Sequence, residues 1–186
     1  HISLKSSLTI NESYITIAGQ TSPGGIGITG FPVRIMTHDV IVTHMHFRRG
    51  SHEGGDHESE GESVFIGSGY NVIIDHSSIS WGTDETIQVG SYWGDVWGVT
   101  ISWSIISEGL NDPHPENNHG MGLLVSDKFY DIKPPEVSVH HNYFSHHSSR
   151  SPKFNGKVLI DHRNNINYDW YHQTGSMLIK GNVVGD

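Results

Sequence analysis

The sequence predicts an all-β chain coiled as a parallel β-helix with long loops on one side, and three observations predict it. Short runs rich in Val and Ile recur along the chain, the stretches between them are polar and Gly-rich, and helix formers do not dominate. Of 186 residues, 22 are glycine, 34% are hydrophobic and 17% are charged. That balance is too apolar and too weakly charged for a disordered chain. It fits a turn-rich β protein better than a helical one.

The runs are VIVTHMHF from Val40, VIIDHSSI from Val72, VTISWSII from Val99, VSVHHNYF from Val137, VLIDHRNN from Val158 and MLIKGNVV from Met177. Each opens on two apolar residues with one residue between them, the period of a strand with one buried face. In five of the six, another apolar position follows at Phe47, Ile79, Ile106, Phe144 or Val184. The Val158 run has Asn165 at that place and Ile166 one later, slightly out of step. Run starts lie 19 to 38 residues apart. A short minimum repeat with large insertions is what stacked coils produce, because loops can grow on one side without disturbing the stack. The apolar pair then points into the cylinder, while Thr43, Asp75, Ser102 and His140 face out onto a groove. An earlier coil is expected around YITIAGQ, residues 14–20.

Two other architectures fit less well. A sandwich needs hairpin turns between neighbouring runs, and Asn155-Gly156 is the one such pair. A βαβ fold needs amphipathic helices in the gaps, which instead read GSHEGGDHESEGES and EGLNDPHPENNHG. One domain over residues 1–186 is expected. Strand-like sequence reaches both ends without capping segments, so a fragment of a longer helix is expected. There is no cysteine, which removes disulfide and thiolate-metal readings. No apolar run approaches the roughly 20 residues of a membrane span. A net charge of −9 argues against a general nucleic-acid binder.

Within that negative background Arg150, Lys153, Lys157 and Arg163 cluster, either as solvated surface or as a site for an acidic polymer. The loop GGDHESEGES places Glu60 and Glu62 two apart at a strand entrance, where both carboxylates could face one hard cation. Asp84 and Gln88 share strand parity on the next coil and could join them. Oxygen ligands without sulfur favour calcium over zinc. The competing reading is a solvated acidic loop. The pairs His140-His141 and His146-His147 suggest zinc, but neighbouring strand residues point to opposite faces and neither pair can chelate. His119, between polar and glycine residues, should rim the groove. In SSRSPKFNG the proline turns the chain and exposes Arg150. There it could anchor a carboxylate, act on a proton beside one, or simply cap a loop.

The segments NVIIDHSSISWGTDE, VTISWSIISEGLN and VHHNYFSHHSSRSPKF, with IAGQTSPGGIGITG at residues 17–30, resemble the pectate lyases of polysaccharide lyase family 1, bacterial branch. The resemblance covers roughly residues 14–170. It implies a right-handed parallel β-helix, a secreted or periplasmic monomer, and calcium-assisted β-elimination of polygalacturonate. By the same resemblance Arg150 is the catalytic base that takes the C5 proton. Glu62 and Asp84 are calcium ligands, and Glu60 is a further candidate. Gln88 stands where an aspartate is usual, which removes one charge from the calcium site. Asn155 stands where a second arginine is usual, so Lys153 is the expected substrate contact beside it. The usual lysine before the VSVHHN coil is missing, and His119 is its nearest substitute.

Two rivals remain open on the sequence. A polygalacturonase-like hydrolase would use paired carboxylates such as Asp75 and Asp84. A non-catalytic carbohydrate-binding β-helix would need neither reaction.

Overall fold

A computed structural model describes residues 1–51, 61–111, 119–127 and 133–170, and the backbone of 178–180 and 183–185. The expected fold is present. Three seven-stranded sheets, parallel throughout, run along a right-handed helix of seven coils, each coil giving one strand to each sheet in turn. Right-handed crossovers are the rule for parallel strands. The one helical piece among the described residues is a 3-10 turn at Gly19–Thr21, just after the strand Ile15–Ala18 that forms the expected early coil.

Stacking is in register, so like residues meet like. On the third sheet Val40, Val72, Val99 and Val137 form one inward column, and Val42, Ile74, Ile101 and Val139 form the next. Phe47, Ile79, Ile106 and Phe144 do the same on the first sheet. On the second sheet the column is Ile35, Ile66, Val89, Val125 and Phe154. All of these side chains are buried, and each contributes roughly 1.5–3 kcal/mol by leaving water. The columns turn polar in the sixth and seventh coils, where His162 follows Val139 and Asn167 follows Phe144.

Five of the six runs mark one bend, where the third sheet turns into the first. The residue at the bend is left-handed in each coil: His44, His76, Trp103, His141 and Asn164 have φ between 46° and 57°. His and Asn tolerate that conformation better than β-branched residues do. Outside, His44 stacks on His76, and Trp103 stacks on His141 with ring centroids 4.3 Å apart. Inside, a polar ladder takes up the backbone donors. Ser77 Oγ accepts from Met45 N, Ser104 Oγ from Ser77 N, Asn142 Oδ1 from Ser104 N and Asn165 Oδ1 from Asn142 N, at 2.9–3.2 Å. Asn165 is therefore the next rung of this ladder, and the Val158 run is out of step because Ile160 meets Val137 rather than Val139, so that Asn167 meets Phe144 and Ile166 is exposed beside Tyr143.

Two expectations need correction. The Met177 run is not a sixth copy of this bend. It spans Leu178–Lys180 of the second sheet and Val183–Gly185 of the third, because alternation of period two looks the same on every face. His140 and His141 also do not divide between outside and interior. Both lie outside, with their Nδ1 atoms 2.9 Å apart. His146 and His147 do divide: His146 pairs with Asp169 at the surface, and His147 is buried.

Candidate functional site

Thr43, Asp75, Ser102 and His140 form one outward column on the third sheet. The candidate site lies elsewhere, at the bend where the first sheet turns into the second. Here the turns are irregular. Thr83 N and Asp84 N both donate to Gly61 O, at 3.0 and 3.2 Å, and Ser63 N donates to Thr86 O at 3.2 Å. These bonds bring Glu62 of the third coil alongside Asp84 and Glu85 of the fourth. Thr83 Oγ1 accepts from Gly61 N and from the buried Arg49, which fixes the entrance to the strand Glu85–Gly90.

Glu62, Asp84 and Glu85 each offer a carboxylate oxygen, and these oxygens lie within 4.8 Å of one another. Arg150 arrives from the sixth coil. Its carbonyl accepts from Leu123 N, and its guanidinium crosses the fifth coil to contact Glu85 and to lie 3.9 Å from Asp84. The crossing depends on Gly122, where a Cβ would sit 2.5 Å from Arg150 O. Arg150 itself has φ 57°, so the turn aims it inward. His119 Nε2 is 3.2 Å from Asp84 Oδ1.

The electrostatics are those of a crowded, partly dry site. Glu62 is half-buried as a residue, but its carboxyl group is enclosed, and that burial, reinforced by Asp84, pushes its pKa up. Burial pushes the Arg150 pKa down, against the pull of Asp84. Asp84 Oδ1 and Glu85 Oε1 are buried with no aligned hydrogen-bond donor among the described residues. Three clustered carboxylates with no sulfur among them fit a hard divalent cation.

Of the sequence candidates, Glu62, Asp84, His119 and Arg150 come together. Glu60 lies outside the described residues. Gln88 lies on the same strand as Glu85, and its amide nitrogen donates to the Tyr92 hydroxyl. Lys153 and Asn155 belong to the strand Lys153–Asn155, and Lys153 is in the outward column that runs through Leu124, Gln88 and Phe65 to Arg34. Glu85 was not a candidate from sequence, because its parity with Ile87 and Val89 points it inward. A carboxylate opening an otherwise apolar strand was the signal that could have found it. Asp75, the proposed partner of Asp84 in a hydrolase, is on the third sheet and accepts from Ser102 Oγ at 2.6 Å. The two do not face a common substrate.

No family model matches the chain. Fungal proteins named probable pectate lyase C are similar to it over most of its length. One from Aspergillus flavus is 36% identical over 158 residues, covering 84% of this chain and 33% of its own. One from Emericella nidulans is 33% identical over 171 residues, covering 91% and 35%. One from Aspergillus terreus is 33% identical over 174 residues, covering 92% and 36%. The chain thus spans about a third of the length of the relatives it matches. These relatives are fungal, so they support the pectate lyase resemblance but not its bacterial branch.

Proposed function

We propose that this chain is a pectate lyase that cleaves polygalacturonate by β-elimination, as the names of its fungal relatives suggest. The observation that carries the proposal is a desolvated arginine aimed at a cluster of three carboxylates on the outer rim of a parallel β-helix.

Elimination requires a base at C5 of the uronate and a neutralised C6 carboxylate, which makes the C5 proton more acidic. Glu62, Asp84 and Glu85 would hold calcium, and calcium when bound supplies that neutralisation. Arg150 is the base. An arginine is ordinarily always protonated in water, and burial at this bend works against its charge. It takes the C5 proton, the C5–H electron pair forms the C4–C5 double bond, and the C4–O bond breaks. The departing glycosidic oxygen takes a proton from solvent. Lys153 and Arg34, on the outward column of the second sheet, attract the acidic polymer, and His119 steadies Asp84. The protein is secreted and acts as a monomer.

The test is ultraviolet absorbance of polygalacturonate incubated with the protein, in added calcium and in chelator. Absorbance from the unsaturated product should rise with calcium and stop with chelator. New reducing ends without absorbance would mean hydrolysis, and neither would mean a binding module.

A further inference from the structure

We propose that His147, which contacts none of the carboxylates, is a positioning residue that acts as an uncharged strut holding Arg150 on the acidic cluster. The proposal rests on the reading of Arg150 given above, and its test separates the two.

His147 ends the strand Tyr143–His147 and is 2% exposed. Its Nδ1 lies 3.1 Å from Ser151 Oγ, the residue after Arg150. Its Nε2 lies 3.4 Å from Thr86 Oγ1, the residue after Glu85. The imidazole therefore spans from the sixth coil to the fourth, braced on the neighbours of both partners in the Arg150–Glu85 contact. The space it crosses is left by Gly122, where a Cβ would lie 3.0 Å from His147 Nδ1.

Hydrogen bonding assigns the tautomer. The Thr86 hydroxyl donates to Met121 O at 2.9 Å, so toward His147 it can only accept. Nε2 therefore carries the hydrogen, and Nδ1 accepts from the Ser151 hydroxyl. Burial, with His146 beside it, pushes the His147 pKa down to about 3, so the ring is neutral wherever the enzyme works. A neutral brace suits this place, since a cation would repel the guanidinium it supports. The strut is anchored further by Ser148 N, which donates to Gly120 O at 2.8 Å.

The experiment compares wild type, His147→Ala, His147→Gln and Ser151→Ala in two readouts. One is kcat and KM on polygalacturonate at saturating calcium. The other is the nitrogen NMR signal of the Arg150 guanidinium, which needs no turnover. Misplacing a reacting group by about 1 Å costs on the order of 100-fold in rate. His147→Ala should therefore lose about 100-fold in kcat with KM within about threefold, and its alkaline pH limb should move to higher pH. His147→Gln should recover about tenfold of that loss, and Ser151→Ala should lose about tenfold. The Arg150 signal should move in all three variants. If His147→Ala does not fold, the other two variants decide on the same readouts. A kcat within threefold of wild type, or a loss that merely follows melting temperature, overturns the proposal. If wild type proves not to be a lyase, the Arg150 signal still decides: an unmoved signal in the variants rules the strut out, and a shifted one upholds it.

Discussion

The two bends that flank the first sheet are built from the same coils but obey different rules. At the entrance, where the third sheet turns into the first, the turns at His44, His76, Trp103, His141 and Asn164 repeat one another. A left-handed His, Trp or Asn stands outside, and a Ser or Asn inside accepts the preceding coil's N–H. At the exit, where the first sheet turns into the second, Trp81, Glu108, His146 and Asp169 are likewise left-handed, but the described turns that follow differ in length, four residues after Ser80 and five after His147. There Asp84 Oδ1 and Glu85 Oε1 are buried without an aligned donor, and Arg150 is desolvated against them. The regular bend spends its polar groups on satisfying the backbone. The irregular bend gathers its charged groups against one another instead, Arg150 beside Glu85 and Asp84, and His119 beside Asp84. The repeated ladder and the proposed site thus occupy opposite edges of one sheet.

Substitutions at the two bends should separate accordingly. The largest stability effect belongs to the regular stack. Ile101→Ala removes a fully buried side chain from the middle of a column and should cost about 2–5 kcal/mol in chemical denaturation. KM for polygalacturonate should not change in the folded fraction. Asn142→Ala takes out one rung, orphaning Ser104 N and Ile101 O. It should cost about 1–3 kcal/mol, again without a change in KM. A KM change in either variant would mean that the bends are coupled.

At the irregular bend the smallest effect per step is a pH slope. His147 has a folded pKa of about 3, below its ordinary value of 6.5. The unfolded chain therefore binds the proton first, so the stability is present above pH 6.5 and is lost as pH falls toward 3. The slope from this one group is about 1.4 kcal/mol per pH unit. His147→Gln should flatten stability across that window by this amount. An unchanged slope would mean that His147 is not held neutral.

The regular bend was largely legible in the sequence, and the irregular one only in part. Val40, Val72, Val99 and Val137 announce their coils because parallel register places identical residues on one column. Strands of the second sheet such as Val33–Ile35 and Lys153–Asn155 are only three residues long, too short to show a period. Arg150, Asp84 and Glu62 were singled out by the family resemblance, and the fold brings the three together. Glu85 was passed over because parity with Asp84 was the guide, and Glu85 lies one residue on, in phase with the buried Ile87 and Val89. Gln88 was favoured by the same parity, but Tyr92, four residues later, claims its amide. Nothing in the spacing of His147 foretold its role, because its partners Thr86 and Ser151 meet only through the stacking of three coils.

The most direct test of the account is a side-by-side assay of wild type and Arg150→Ala on polygalacturonate in excess calcium. The rate of unsaturated product would be followed together with thermal melting. Wild type should form the product, and Arg150→Ala should lose about 1,000-fold or more in kcat while still melting cooperatively. If the folded variant keeps its rate within about tenfold of wild type, Arg150 is not the base and the irregular bend is not the catalytic centre.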